Sequence, residues 1–390
     1  MIKIRPYTEL PNRDEIFNLY LFMAAMSMPF FPEDIFPEGY FCPDGKTKES
    51  LTAFPRRARK RTNAYKLLLA KHKPYFSGHP TAKREEDALL AKALIREFSP
   101  ALHDFLYKGM TDGHVSPQAL RLLLTSPMDR PSIKKDRALY TAFMSGGGDA
   151  KILLEHVFRY EVFSTREEIH HLVSLLGVDI CPYCNRLYIT TAMRNEGAPP
   201  VRPELDHYRS KSQYPFFALS ILNLIPSCGV CNHIKGDKTQ EILYPYAEEM
   251  GKDYCFRTEP IAEISYLTGT RVSKEDFDLT FKQMRDTMST AKKIRAQNSI
   301  KLLQLEALYS AHREYVSDMI FQRYIFTDSM IQDLMRQFPA LFKSEEEVRS
   351  MLLMMELNQE KWGKRPLAKL THDITVELDE LYAAASISKK

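Results

Sequence analysis

The stretch ELDHYRSKSQYPFFALSILNLIPSCGVCNHIKGDK, residues 204–238, places a Cys-x-x-C pair, an Asp-His pair and two asparagines close together in the chain. A second Cys-x-x-C pair lies upstream, so that four of the six cysteines fall in two short turns. Two such turns can direct four thiolates at one ion, which is the ligand set that tetrahedral zinc prefers. The sequence therefore predicts a closed, structural zinc site formed by Cys181, Cys184, Cys228 and Cys231.

The use of cysteine also bears on the compartment. A redox-active pair is the alternative for either Cys-x-x-C turn, but two pairs in one segment favour metal binding. Cys42 and Cys255 stand alone and are expected to be small buried side chains. Because metal-binding thiols are typical of a reducing environment, the sequence favours the cytoplasm.

The overall composition limits the class of protein. The 390 residues are 44% hydrophobic and 27% charged, with a formal net charge of +4. These values are typical of globular proteins, and the length allows two or three domains. The net charge is too small to indicate a partner, so any affinity for nucleic acid must come from local clusters. The most apolar run, residues 16–31, contains Asn18 and Pro29 and predicts a buried helix rather than a membrane span.

The predicted fold class is mainly α with a small α+β insert. The predicted domains are an N-terminal helical domain at 1–165, a central zinc-containing domain at 166–260 and a C-terminal helical domain at 261–390. Within the central domain, the strand-like stretches RLYITT (186–191) and ELDHY (204–208) are predicted to pair, and a short helix is predicted to begin near Cys228.

A cluster of basic residues without acidic neighbours lies between residues 56 and 73. Clustered Lys and Arg are the electrostatic footprint of nucleic-acid binding, whereas a solvated helix face explains the same composition. Both interpretations stay open. The candidate phosphate-contacting residues of this cluster are Arg56, Arg57, Arg59, Lys60 and Arg61.

The remaining polar residues of the motif suggest hydrolytic chemistry. Asp206 and His207 lie inside the segment that zinc would close, and Asn232 directly follows the second Cys-x-x-C pair. A histidine beside oxygen ligands is what a one-metal hydrolytic site requires. The pattern ELDHYRSKSQYP followed by NLIPSCGVCNHIKGDK resembles the HNH, or ββα-metal, nuclease motif in its four-cysteine form, and most closely the PtuB-type HNH nucleases of Septu and retron antiphage systems. The resemblance covers roughly residues 178–238.

This resemblance implies a ββα-metal module and a role for each matching residue. His207 would be the general base that takes a proton from the attacking water. Asp206 and Asn232 would be ligands of a catalytic Mg²⁺ or Mn²⁺, and Asn223 would brace the loop and orient the base. His233 is adjacent to Asn232, and neighbouring helical residues point about 100° apart, so only one of the two can face the ion. The motif position favours Asn232.

Basic and aromatic residues surround the motif. The candidate phosphate clamps are Arg209, Lys211, Lys235 and Lys238, and a solvated rim is the open alternative for each of them. The aromatic residues Tyr214, Phe216 and Phe217 are expected to pack under the loop rather than to stack on bases.

The favoured hypothesis is a metal-dependent HNH endonuclease that hydrolyses phosphodiester bonds, with DNA favoured as the substrate. One alternative is an RNA- or tRNA-cleaving nuclease, and another is a non-catalytic zinc module that binds nucleic acid or protein. A binding module needs the thiolates but has no use for a base beside a hard-ion ligand, which favours the enzyme. The resemblance also implies a role in antiphage defence. A separate ATPase or other subunit would then be a partner, because the glycine-rich stretches here do not match a P-loop.

Overall fold

A computed structural model of the protein describes residues 1–31, 34–35, 83–128, 134–166, 168–192, 201–261, 272–285, 287–352 and 358–388. Within these ranges the chain is mainly helical, with two small two-stranded antiparallel sheets. The predicted mainly helical class is confirmed at this level. The basic cluster Arg56, Arg57, Arg59, Lys60 and Arg61 and the lone Cys42 lie outside the described residues.

The N-terminal part consists of helices around one buried helix. Its α-helices are α1 (Arg13–Ser27), α2 (Lys83–Phe98), α3 (Pro100–Tyr107), α4 (Pro117–Thr125), α5 (Lys134–Phe143), α6 (Gly147–Val157), α7 (Tyr160–Ser164) and α8 (Glu168–Leu175). Helix α1 carries two acidic residues in its first turn, where they complement the helix dipole. Most of its later side chains are buried, which confirms the buried helix expected from residues 16–31. The Tyr20 hydroxyl lies within hydrogen-bonding distance of the Leu124 carbonyl (2.9 Å) and of the Leu219 carbonyl (2.7 Å), so α1 contacts the central segment.

The central segment contains a strand pair followed by a short helix. Strand β1 (Glu204–His207) pairs antiparallel with β2 (Leu224–Ser227), with Asp206 opposite Ile225. Helix α9 (Gly229–Lys235) follows at once and ends at Gly236, whose φ of +47° is a left-handed value that favours glycine. The predicted strand at ELDHY and the predicted helix near Cys228 are therefore present. The predicted pairing partner is wrong, because RLYITT forms only an isolated bridge between Tyr188 and Ile180.

The C-terminal part packs helices against a second strand pair. Strand β3 (Tyr254–Pro260) pairs antiparallel with β4 (Phe277–Gln283). The α-helices that follow are α10 (Thr290–Leu302), α11 (Leu305–Ser310), α12 (Arg313–Ile325), α13 (Asp328–Gln337), α14 (Glu345–Leu352) and α15 (Ala368–Ser388). Buried side chains of β3, β4, α12 and α15 form one hydrophobic cluster. Sequence analysis predicted helices but no strand after residue 260, so β4 is a correction.

The main hydrophobic core crosses the predicted domain boundary near residue 165. One cluster of buried side chains runs from Met1 to Leu305 and includes the four paired cysteines. The division into three domains stays a prediction, although the helical N-terminal part and the central segment share this core. Among the described residues, no helix is both long and apolar enough to cross a membrane.

Candidate metal centre and adjoining polar cavity

The four cysteines of the two Cys-x-x-C turns come together in one buried cluster. Their Sγ atoms all lie within 4.8 Å of one another, and those of Cys184 and Cys228 are 4.0 Å apart. A zinc–sulfur distance of about 2.3 Å in a tetrahedron places sulfurs about 3.8 Å from each other. The cysteines are not joined by disulfides. Burial raises the pKa of the Cys181 thiol, so a bound cation is what would keep this sulfur a thiolate. The cluster can hold a metal ion such as zinc.

Local sequence explains the shape of both turns. In the first turn, the Asn185 amide donates to the Cys181 carbonyl (2.8 Å), and Asn185 has a φ of +54°, a conformation that asparagine tolerates better than most residues. In the second turn, Cys228 is the N-cap of α9, and its sulfur accepts from the Cys231 amide (3.5 Å). The Arg186 amide likewise donates to the Cys184 sulfur (3.4 Å), so a backbone donor points at one sulfur of each turn, as negatively charged thiolates require.

Distant parts of the chain enclose the first turn. The Tyr309 hydroxyl donates to the Cys184 carbonyl (2.5 Å), and the Lys369 amide donates to Asn185 Oδ1 (3.0 Å). The Ile2 amide donates to the Pro182 carbonyl (3.0 Å). Both ends of the described chain are therefore anchored on the cysteine cluster, which gives this cluster a structural role beyond its own turns.

His207 is held in one orientation beside this cluster. Its Nε2 lies 2.9 Å from the carbonyl of Ala218, and because a carbonyl can only accept, Nε2 carries the proton and Nδ1 is left as an acceptor. Burial lowers the pKa of His207 to about 3, so the imidazole is neutral at neutral pH. The ring of Tyr160 packs against the imidazole edge-on, with centroids 4.3 Å apart.

Asn223 braces the loop that holds His207. This fully buried side chain accepts from the Arg209 amide (2.7 Å) and donates to the Arg209 carbonyl (3.0 Å). It also donates to the Phe217 carbonyl (3.0 Å), one residue before the carbonyl that accepts from His207. The side-chain amide of Asn223 therefore connects the two ends of the loop, at Arg209 and Phe217, next to the carbonyl that fixes the imidazole.

Asp206 forms a buried ion pair that sequence analysis did not predict. Lys235 Nζ donates to Asp206 Oδ1 (3.0 Å) and to the His207 carbonyl (2.6 Å), and the Tyr183 hydroxyl donates to Asp206 Oδ2 (2.6 Å). The side chains of Lys235 and Asp206 are only 2% and 3% exposed. Lys235 was predicted to be a phosphate clamp, and the structure corrects this, because a buried ammonium engaged by two oxygens cannot reach a ligand.

Asn232 lies on the open side of the same strand and helix. Its Nδ2 donates to Glu204 Oε2 (2.6 Å), and both residues line the same cavity as Asp206 and His207. His233 is exposed and does not line this cavity, as the 100° turn between neighbours requires. Glu204 was missed by sequence analysis, although its position two residues before Asp206 places it on the same strand face.

The cavity has a volume of about 350 Å³ and carries both signs of charge. Oxygen donors of Asp206, Asn232 and Glu204 lie on one wall, and each Asp206 oxygen that accepts one hydrogen bond keeps a second lone pair. Oxygen donors are the ligand type that hard cations such as Mg²⁺ prefer. The exposed Lys211 and the half-buried Arg202 line the cavity as cations, and Arg202 is a second residue that sequence analysis missed.

The other predicted phosphate clamps lie outside this cavity. Arg209 points its guanidinium at the Met128 carbonyl (3.3 Å) and lies 3.7 Å from Glu241. Lys238 Nζ donates to the Ile234 carbonyl (2.7 Å), although its side chain is exposed. Of the four basic residues predicted around the motif, only Lys211 lines the cavity that contains His207. No family model, curated protein or solved structure matches this chain.

Proposed function

We propose that the protein is an HNH-type endonuclease that hydrolyses phosphodiester bonds of nucleic acid in a metal-dependent reaction, with DNA favoured. The observation that carries the proposal is the fixed, neutral imidazole of His207, which keeps Nδ1 as an acceptor and lines a cavity with hard oxygen donors and two cations. The strand, strand and helix order of residues 204–235 is the order that the resemblance to ββα-metal nucleases implies.

His207 would act as the general base. Its Nδ1 can take a proton from a water molecule because Nε2 is already committed to the Ala218 carbonyl. The hydrogen bond from the Asn223 side chain to the Phe217 carbonyl keeps the adjacent Ala218 carbonyl in place. The imidazole ring of His207 therefore does not rotate when Nδ1 becomes protonated. Lys211 and Arg202, which also line the cavity, would bind the nonbridging phosphate oxygens of the substrate.

Asp206 and Asn232, with Glu204 beside them, would hold a catalytic Mg²⁺ or Mn²⁺. When bound, such an ion supplies positive charge where negative charge develops on the phosphate and on the departing oxygen. Lys235 neutralises part of the buried charge of Asp206 and fixes the backbone of His207, so the chain itself sets the spacing between base and carboxylate.

The cysteine cluster would bind a structural zinc. It has no open coordination position, because four sulfurs complete a tetrahedron. Metal binding would fix β1, β2 and α9 relative to one another, since Tyr183 of the first turn donates to Asp206 of β1. A reducing cytoplasm would keep the thiolates available, and this is where we place the protein.

Two other functions compete with DNA cleavage. An HNH site acts on the backbone, so RNA or tRNA is an alternative substrate until a contact to the sugar is identified. A zinc-dependent binding module without catalysis is the other alternative, and the oriented acceptor of His207 argues against it because binding alone gives no use for a buried, neutral base. A role in antiphage defence and a separate ATPase subunit remain part of the proposal through the resemblance alone.

The test is cleavage of plasmid, single-stranded DNA and RNA by the zinc-containing protein, with Mg²⁺ or without added Mg²⁺. His207→Ala should lower the rate by about 10²–10⁴-fold because the general base is lost. His171→Ala is the matched control, since His171 is an exposed histidine on α8 and should leave the rate unchanged. Equal cleavage by His207→Ala and wild type, at equal zinc content, would exclude the mechanism, and no cleavage of any substrate by wild type would favour the binding module.

A further inference from the structure

A second cavity lies on the other side of the loop that follows His207. It has a volume of about 590 Å³, and its walls include Tyr208, Arg209, Tyr214, Phe217 and Lys238. The volume is in the range of small-ligand pockets. Its walls also include Glu241, the ion-pair partner of Arg209. Aromatic rings together with charges of both signs suit neither a purely apolar ligand nor a bare anion.

The second cavity and the cavity of His207 share one ridge. Ser210 lines both cavities, and its hydroxyl donates to Asp237 Oδ1 (2.9 Å) across the ridge. Chain neighbours face opposite sides of it: His207 lines the first cavity and Tyr208 the second, and Asp237 lines the first and Lys238 the second. A polymer whose backbone lies at His207 therefore has its next unit beside the second cavity.

The walls of the second cavity consist partly of planar side-chain groups, and some of these groups are held by contacts within the protein. Tyr208 donates its hydroxyl to the Ile242 carbonyl (2.7 Å), and the Arg209 guanidinium lies 5.8 Å from the centre of the Tyr208 ring. Phe217 is buried and forms the apolar floor. Tyr214 is half-buried, packs edge-on against Phe216 and borders the cavity, and the exposed Gln213 supplies an amide there. Rings, a guanidinium plane and an amide are the groups that recognise an unstacked nucleobase.

We infer that this cavity binds the base of the nucleotide adjacent to the bond that is cleaved. The inference rests on the proposed nuclease function and adds a substrate class to it. A base inside a duplex is stacked on its neighbours and cannot stack on Tyr214, so the protein should prefer single-stranded or locally opened nucleic acid. Tyr214, Phe216 and Phe217 were expected from sequence to be core packing. Phe216 and Phe217 are buried as expected, and Tyr214 is partly buried against the core while it also borders the cavity.

The experiment is a mutant cycle between the ring and the base. Short single-stranded DNA and RNA oligonucleotides are made intact or with one abasic nucleotide placed in turn at each position, and are bound to zinc-containing His207→Ala protein with or without Tyr214→Ala. Losing the ring, or losing the base beside the cleaved bond, should each weaken binding by roughly 5- to 100-fold. Losing both should weaken binding no more than losing either one, because each removes the same contact.

Two variants control for folding and for nonspecific effects. Tyr214→Phe keeps the ring and should bind like wild type, and Tyr324→Ala removes an exposed tyrosine of α12 and should have no effect. Losses that add, or an abasic nucleotide tolerated at every position, would overturn the inference. If wild-type protein still cleaves such substrates, the proposed function survives that result. Neither binding nor cleavage of any oligonucleotide would overturn both.

Discussion

Two buried lysine–aspartate pairs of this protein have nearly the same geometry and different surroundings. Lys235 and Asp206 are 3.0 Å apart in the central segment, and Lys369 and Asp373 are 2.8 Å apart on α15. All four side chains are at most 3% exposed. A buried charge is tolerated only when it is paired and hydrogen-bonded, so both pairs must be held by further partners.

The partners make the two pairs differ. Burial alone would raise the pKa of Asp373, but Lys369, His372 and the amide of Phe256 together lower it. For Asp206 burial outweighs Lys235 and Tyr183 and raises the pKa, and the neighbouring Glu204 adds to the effect. Asp206 also lines a cavity, whereas Asp373 is completely buried. The carboxylate of Asp206 is thus less fully compensated by its protein partners than the carboxylate of Asp373.

The first cysteine turn connects the two pairs. Tyr183, between the two cysteines of that turn, donates its hydroxyl to Asp206, and Asn185, directly after the turn, accepts from the amide of Lys369. A loss of the cluster should therefore disturb both pairs, whereas a change in one pair should leave the other intact.

Removing one thiolate should have the largest effect. Structural zinc sites contribute about 10–16 kcal/mol of apparent binding free energy, which exceeds the total stability of most domains. We expect Cys184→Ser to lose zinc and to unfold or aggregate. Zinc content and thermal unfolding measure this. Cys255→Ser is the control, because Cys255 is also buried but lies outside the cluster, and this variant should retain about one zinc per chain. If the Cys184→Ser protein folds without metal, zinc is not what holds the two lysine–aspartate pairs in place.

Substituting each lysine should separate the two pairs. Lys235→Met and Lys369→Met each leave a buried carboxylate unpaired and should lower the free energy of unfolding by about 3–5 kcal/mol. Urea unfolding measures this loss. Only Lys235→Met should also lower cleavage by the folded, zinc-containing fraction, by up to about 100-fold, because it releases the backbone and carboxylate next to His207.

The two lysine variants control each other in stability and activity. If Lys369→Met lowers the specific activity of folded protein as much as Lys235→Met does, the central pair has no special relation to the cavity. If Lys235→Met is stable and active, the buried pair contributes neither to folding nor to positioning, and the contrast between the pairs fails.

Sequence could predict the parts of this site that depend on local spacing. The two Cys-x-x-C turns, β1 and α9 follow from residues a few positions apart. Local spacing also shows that Asn232 and His233 cannot both face the cavity, and the resemblance to the HNH motif decided in favour of Asn232. The position of Lys235 was also accessible, because it lies four residues after the buried Cys231 and hence on the same helix face. A lysine is assumed to be at the surface until its partner is known, and Asp206 is distant in sequence.

Long-range pairing could not be predicted from the same signals. RLYITT has strand-like composition, but Leu187 and Tyr188 are exposed there and Ile189 is the one residue of the stretch that is buried in the core. Strand β2 contains Pro226 and lacks an alternating pattern, so its pairing with β1 depends on tertiary contacts. The enclosure of the first cysteine turn by Tyr309 and Lys369 is likewise a contact between segments far apart, and no local pattern encodes it.

The smallest expected effect is the pH dependence of the α15 pair. Because the folded-state pKa of Asp373 is lowered, its contribution to stability is present above the unfolded value of about 4 and is lost as the pH falls through the folded value. The difference in unfolding free energy between wild type and Asp373→Asn should therefore shrink in acid, by about 1.4 kcal/mol per pH unit between the two pKa values. Acid also releases zinc from both proteins, so the difference between them is the quantity to compare. In a Lys369→Met background the shrinkage should largely disappear, because Lys369 is the main cause that lowers the pKa of Asp373. If the difference between wild type and Asp373→Asn instead stays constant or widens in acid, Asp373 is not the better compensated of the two carboxylates.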